Sequence, residues 1–323
     1  MPEITAEAVK KAAREFGADL VGIGSIDRWD KAPVENHPRT IMPRAQSVIG
    51  IGFRMHRGSH RGVEEGTYFS SYTLTGYMDL NNIVAPVVQR RVASFVEDFG
   101  WEATTVQYLS GRLGNDAGEA ASRPDGTSKP RPDIFFNFRI AGELCGMGEV
   151  GYSRMFLSPR FGPLQRIYFV ITDAPLEADP MIKGICDGCQ ECVRQCPAKA
   201  LFSDRRDDVD AGITMIKRSA IDVLKCSVAH SMGGLSPFAS EEVKNYARNI
   251  IDGTDTHLAD GTPRPSREEM IKNIQDKVAY AKNAKDVFHG PAVLCADGCV
   301  RGCLAHLEKK GKLALKFHNS FRD

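Results

Sequence analysis

The sequence predicts an α/β (α+β) protein built in two parts. Residues 1–180 alternate helical stripes with short apolar strands, and residues 181–323 are rich in cysteine. Eight of the nine cysteines fall from Cys186 onward. A long polar stretch, 236–289, interrupts the second part. A chain of 323 residues suits one large domain or two, at roughly 100–200 residues per domain. With 42% hydrophobic and 26% charged residues, it has enough apolar surface to bury a core.

The elements follow in order. Val9, Ala12, Ala13 and Phe16 recur at helical spacing, and Gly17 stands where a helix stops. Ala18 to Gly24 then reads as a buried strand, and Ser47 to Phe53 as another. From Leu80 to Val96 the apolar residues form one helical stripe, with a kink expected at Pro86. Trp101 to Val106 and Ile167 to Thr172 are strands, and the Gly- and Pro-rich stretch 111–131 between them is a loop. Pro175 and Pro180 mark the boundary between the parts. In the polar stretch, Met270, Ile271, Ile274 and Val278 are in register for a helix over 266–284.

Charge restricts the partners. The formal net charge is +1, so no strong field gathers nucleic acid or an anionic membrane. A nucleic-acid partner is not expected on that ground. No apolar run reaches the roughly 18–20 residues of a membrane-spanning helix. The N-terminal segment reads as an amphipathic helix and not a signal peptide, and it carries no twin-arginine stretch. A cytoplasmic protein is expected.

The most specific motif is Cys186-x2-Cys189-x2-Cys192-x3-Cys196-Pro197, the run that ligates iron–sulfur clusters in bacterial ferredoxins. Three thiolates in a tight loop cover three corners of one cubane. The fourth cysteine, ahead of a proline, points to a second cluster. Zinc motifs more often pair two separated C-x2-C units. The second cluster draws on Cys226, Cys295, Cys299 and Cys303. The ferredoxin crossing assigns Cys186, Cys189, Cys192 and Cys303 to one 4Fe–4S cluster. It assigns Cys196, Cys226, Cys295 and Cys299 to the other. Cys145 reads as a small buried residue. Together the two parts read as a wire feeding a site in the first 180 residues.

The stretch from Phe138 to the cluster motif carries a second pattern: Gly146, Gly148, Glu149 and Gly151, then Ser158, Pro159, Phe161, Gly162 and Pro163, then Thr172, Asp173, Pro175 and Leu176. In order and spacing it resembles the corrinoid-dependent reductive dehalogenases and their relatives, the epoxyqueuosine reductases. The resemblance covers about residues 8–230 and returns at 295–303. It implies a nitroreductase-like core over 1–180 that binds cobalamin base-off. It also implies a ferredoxin-like two-cluster domain over 181–323, with 236–289 inserted. Gly146, Gly148, Glu149, Gly151, Ser158, Phe161 and Gly162 would then line the corrinoid, since glycines let backbone approach a flat macrocycle. Read without the resemblance, they are turn residues. The C-x3-C-x3-C spacing of Cys295, Cys299 and Cys303 departs from the family's second motif, as does the long gap after Cys226.

Reductive cleavage at cobalt needs a proton donor. The resemblance implies a tyrosine upstream of the glycines or an aspartate just before them. Tyr68, Tyr72 and Tyr77 are candidates for the first and Asp133 for the second. A tyrosine serves if a cation or a low-dielectric site tunes it. The function implied is a cobalamin-dependent iron–sulfur reductase cleaving a carbon–halogen or carbon–oxygen bond of a small organic substrate. Its electrons would come from an external donor such as ferredoxin or flavodoxin. Lys309, Lys310, Lys312 and Lys316 form a solvated face or the dock for such an acidic donor. Two other readings stay open: an electron-transfer or corrinoid-handling protein with no substrate of its own, and a flavin-dependent iron–sulfur reductase.

Overall fold

The structure is a computed structural model. It describes residues 3–33, 36–65, 70–106, 136–222, 225–226, 241, 245, 248 and 296–321. Helix α1 (Ala6–Glu15) starts where the Thr5 hydroxyl accepts the Ala8 amide hydrogen at 3.2 Å, satisfying one free donor of the first turn. It ends before Gly17, whose φ of +114° only glycine adopts at low cost. Four strands follow at the expected places: β1 (Leu20–Ser25), β2 (Ser47–Arg54), β3 (Ala103–Val106) and, further along, the long strand Gln165–Thr172.

Those four strands form one sheet, and every pairing in it is antiparallel. The order is β1, β2, the Gln165–Thr172 strand, β3. Both faces are buried, so the period-two alternation of a strand sorts residues between two cores. Ile49, Ile51 and Phe53 of β2 join Tyr168 and Val170 against Val9 and Ala13 of α1. Helix α4 (Ala85–Glu97) closes that face with Val88, Val92 and Val96. The other face carries Val48, Ile167, Phe169 and Ile171, packed with Trp29, Phe136 and Leu144.

The helical stripe expected at 80–96 is present, but its character differs. Arg57–Glu64 forms α2 and Ser70–Thr73 forms α3. From α3 the helix runs through wide π turns over Leu74–Val84 before tightening into α4. Pro86 sits in the first turn of α4, where its missing N–H costs nothing, and so marks the start of α4 instead of a kink inside it. Buried Gln89 ties α4 to the sheet by donating to the carbonyls of Val106 and Phe169 at 2.9 and 2.8 Å.

Helix α5 (Phe138–Leu144) is capped by Asn137, which accepts from the Ile140 amide at 3.2 Å. It leads into the two-residue strands β4 (Glu149–Val150) and β5 (Phe156–Leu157), and then into β6, the Gln165–Thr172 strand. The first cysteine run holds α6 (Glu191–Arg194). It is followed by β7 (Leu201–Arg206), β8 (Val209–Asp210), β9 (Met215–Ile216) and β10 (Ser219–Ile221), which make two small antiparallel pairs. The chain ends in π turns over Ala296–Val300 and helix α7 (Arg301–Lys309). Leu304 and Leu307 of α7 pack with Met55, Tyr72, Leu157 and Leu164, so the last helix shares a core with the first half. Among the described residues no helix is long and apolar enough to cross a membrane. The expected loop 111–131 and helix 266–284 lie outside the described residues, as does nearly all of 236–289.

Candidate functional site

The cysteine loop hangs from one buried carboxylate of the preceding hairpin, backed by a second on α5. Buried Glu149, on β4, accepts the amide hydrogens of Cys186 and Gly184 at 2.5 and 3.1 Å, one on each carboxylate oxygen. Fully buried Glu143, on α5, accepts from the Val150 amide at 2.6 Å and pairs with Lys183. The amide of Tyr152 donates to the Cys186 sulfur at 3.3 Å. Gly184 and Gly188 turn the loop at φ of +85° and +72°. Arg194 on α6 donates to the Cys189 carbonyl at 2.7 Å and closes it.

The C-terminal helix completes the arrangement. Cys299 and Cys303 are four residues apart on one helical run, so their sulfurs share a face one turn apart. Glycines let that face approach the loop. A methyl added at Gly298 would meet Pro197 at 2.7 Å, and one at Gly302 the Gln195 side chain at 2.9 Å. His306 clamps the outside, its Nε2 standing 2.9 Å from the Asp187 carboxylate. Burial disfavours the Asp187 charge, but His306 and Lys312 overcome it and hold the carboxyl at about 2.

The thiols fall into two adjoining groups. Burial and then the sulfurs of Cys186, Cys192 and Cys189 push the Cys303 thiol well above its ordinary value. Burial, Cys299, Cys186 and Cys189 push Cys192 up to about 12. Burial, Cys196 and Cys226 push Cys299 up to about 12, opposed by the Arg139 guanidinium. Cys299 thus faces Cys196 and Cys226 while touching the field of Cys192, and Cys303 faces the other three. Cys295 lies outside the described residues. Neighbouring thiols are a donor set that suits a thiolate-liganded metal centre, because a bound metal takes the place of their protons and offsets the repulsion of the thiolates.

The residues that the resemblance assigned to the corrinoid have other partners here. Gly146 has φ of +69°, and a methyl on it would stand 2.5 Å from the Pro180 carbonyl. One on Gly148 would lie 2.0 Å from the Leu157 carbonyl, and one on Gly151 2.7 Å from the Leu157 side chain. Ser158 and Gly162 exchange backbone hydrogen bonds at 2.9 Å, and the Ser158 hydroxyl accepts from Phe161 and donates to Gln165. Phe161 is buried, and Glu149 holds the cysteine loop. Among the described residues these contacts seat the turns against the chain itself. A cavity of about 290 Å³ lined by Met55, Arg57, Phe161, Leu164, Leu304 and Phe317 is at the lower end of small-ligand pockets.

Of the proton-donor candidates, Tyr72 is buried in the core shared with α7, edge-on to His60 at 5.9 Å. Tyr77 lies on the π-turn segment. Tyr68 and Asp133 lie outside the described residues. Cys145 is fully buried, as expected, with its sulfur 3.4 Å from the Val48 carbonyl, and burial drives its thiol up. Sequence reading missed the carboxylate anchors. Their only signal was two glutamates, Glu143 and Glu149, on either side of a glycine-rich turn.

Fold and relatives together define the class: the chain is related to the superfamily of reductive dehalogenases and epoxyqueuosine reductases. More particularly, it is 24% identical over 217 residues to an epoxyqueuosine reductase of Leadbetterella byssophila, covering 60% of this chain and 63% of that protein. It is 24% identical over 228 residues to a tetrachloroethene reductive dehalogenase of Dehalobacter restrictus, covering 63% of this chain and 39% of that protein. The match thus spans under two thirds of the length of these relatives. Among solved structures, an epoxyqueuosine reductase with a tRNA-Tyr epoxyqueuosine-modified stem loop aligns with a TM-score of 0.50. That alignment covers 95% of this chain and 82% of the other at 13% identity, a likeness of fold alone. No protein-family model matches the chain.

Proposed function

We propose that the chain is an iron–sulfur oxidoreductase of the epoxyqueuosine reductase and reductive dehalogenase type. The observation that carries this is the pair of adjoining thiol groups, assembled from three separate stretches of a chain whose relatives bear those two names. Cys186, Cys189, Cys192 and Cys303 would hold one 4Fe–4S cluster. Cys196, Cys226, Cys295 and Cys299 would hold the other. Such clusters, when bound, supply one-electron transfer at low potential. Glu149 and Glu143 fix the loop, α7 closes it, and backbone N–H groups meet the sulfurs of Cys186 and Cys196, each at 3.3 Å. Residues 181–323 are read as the ferredoxin-like domain and 1–180 as a nitroreductase-like core. Base-off cobalamin as the electron acceptor, and a tyrosine or Asp133 as proton donor, rest on the resemblance.

Two substrate classes fit this type. A small halogenated or oxygenated organic molecule follows from the dehalogenase relatives. A modified tRNA follows from the epoxyqueuosine reductases, and the exclusion of nucleic acid on net charge is withdrawn. A protein of this fold has been solved with a tRNA stem loop, and a formal charge of +1 over the whole chain does not exclude a local basic surface.

Anaerobic reconstitution with iron, sulfide and cobalamin tests the reading. Two filled clusters give about eight irons per chain, with one cobalt and a base-off spectrum. Cys303→Ser is expected to halve the iron. Eight irons without cobalt point to an electron carrier or a flavin enzyme, and no iron overturns the proposal. Binding of an epoxyqueuosine-modified stem loop, set against turnover of a halogenated aromatic, separates the substrate classes.

A further inference from the structure

The cavity of about 290 Å³ lies where the end of β2, the start of α2 and the C-terminal tail meet. Its floor is apolar, formed by the buried side chains of Met55, Leu164 and Leu304. Its rim is cationic: Arg54, Arg57 and Arg160 line it together with the exposed imidazole of His56, and no acidic residue does. Two of those charges are taken. Arg54 faces Asp19 at 3.4 Å, and Glu308 holds Arg57 in two hydrogen bonds. Arg160 is exposed, and its guanidinium lies over the Phe161 ring at 5.0 Å, with no carboxylate partner among the described residues. Phe317 supplies a second ring, 47% exposed, with the Arg57 guanidinium over it at 4.6 Å.

An apolar floor beside an uncommitted cation recognises a molecule with both characters: a ring or chain that leaves water, and an oxyanion that meets the guanidinium fork. We propose that this cavity binds a small organic carboxylate, its apolar body on Met55, Leu164 and Leu304 and its carboxylate at Arg160. The volume suits a single-ring acid. One free guanidinium matches a carboxylate monoanion, whereas a phosphate dianion asks for more donors than a hydrocarbon floor supplies. The tail wall is already fastened. The Ala314 amide donates to the Pro159 carbonyl at 3.0 Å, and the Arg57 and Arg61 guanidiniums donate to the Asn319 and Ser320 carbonyls at 2.6 and 2.8 Å. A cavity held in this way needs little ordering when the ligand enters. Leu304 directly follows Cys303 in α7, so the ligand also touches the helix that carries that thiol. The site needs neither clusters nor a corrinoid, and it stands or falls apart from the oxidoreductase reading.

Isothermal titration calorimetry of the full chain, handled anaerobically, with benzoate, benzamide and inorganic phosphate is the experiment. Benzoate should saturate the protein with a Kd of about 1 mM or below. Benzamide keeps the ring without the charge, and phosphate keeps the charge without the ring. Each should bind about tenfold more weakly than benzoate, or not at all. Arg160→Gln should weaken benzoate about tenfold, and Arg160→Lys, which keeps a charge but not the fork, should recover part of the loss. Phe317→Ala removes an apolar wall and should weaken benzoate as well. Both side chains are exposed, so an unchanged circular dichroism spectrum is expected for each variant. Phe317→Ala locates the ligand even if Arg160→Gln fails to fold. No saturation by benzoate at about 10 mM overturns the inference. So does benzamide or phosphate binding as tightly as benzoate, or a folded Arg160→Gln or Phe317→Ala variant with unaltered benzoate affinity.

Discussion

The Arg57 guanidinium and the Glu308 carboxylate meet in two parallel hydrogen bonds of 2.7 and 2.8 Å, across 251 residues of chain. The same guanidinium donates to the Asn319 carbonyl at 2.6 Å and lies over the rings of Phe317 and Phe321. This contact fastens α7, and with it Cys303, to α2. Both side chains are largely buried, so removing Glu308 leaves the Arg57 charge without its counter-ion. Glu308→Ala is expected to cost about 3–5 kcal/mol of unfolding free energy, measured by urea denaturation. A loss below about 1 kcal/mol, typical of a surface pair, would show that the clamp contributes little.

Glycine roles make a second expectation, set by what surrounds each position. A methyl at Gly148 would lie 2.0 Å from the Leu157 carbonyl, which is backbone and cannot step aside. Gly148→Ala should destabilise the fold by at least about 1–3 kcal/mol. A methyl at Gly58, on α2, meets nothing within 4 Å. Gly58→Ala should be neutral or stabilise by up to about 1 kcal/mol. Thermal unfolding of the pair checks both, and equal losses would refute the packing argument.

The thiols predict how stability changes with pH. Burial first, then neighbouring sulfurs, raise Cys192 and Cys299 to about 12. The folded metal-free chain therefore favours the protonated thiols. Their contribution to stability is complete below the ordinary thiol value of about 8.5. It is lost as pH climbs from there toward about 12. Iron-loaded protein holds the same sulfurs as thiolates and should lack this loss, and iron uptake should release protons and tighten as pH rises. Melting curves of chelator-stripped and loaded protein across mildly alkaline pH make the comparison. Parallel curves would contradict it.

Tyr168 and Asn81 supply a fourth case. The Tyr168 hydroxyl donates to the Asn81 side-chain carbonyl at 2.5 Å, and both residues are buried. Tyr168→Phe leaves that acceptor without its donor, at a cost of about 1–3 kcal/mol. Adding Asn81→Leu should recover part of the loss. Simple additivity in the double-mutant cycle would show that the pair is not coupled.

Much of the fold follows from local pattern. The apolar runs at 18–24, 47–53 and 167–172 are strands because continuous β-branched and aromatic residues suit a sheet buried on both faces. Helix α1 follows from its spacing, its Thr5 cap and Gly17. The cysteine run was legible because its chemistry is local: a short loop must carry the ligands at fixed offsets. The glycines of SVIGIGF were read only as part of a strand. In the structure Gly50 and Gly52, with Gly22 and Gly24 of β1, clear one face so that Leu144, Cys145 and Met147 can lie against the sheet.

The sequence by itself determined the element types, the buried runs and the first three thiols of the cysteine run, since each depends on neighbours a few residues away. Tertiary structure decided the rest. It set the strand order and gave Glu149 two amides some 35 residues further along the chain. It also placed Tyr72 against His60 in the core. Each of these joins side chains or backbone groups distant in sequence. Whether a carboxylate meets an amide or a cofactor depends on what packing brings beside it, and residue spacing does not carry that information.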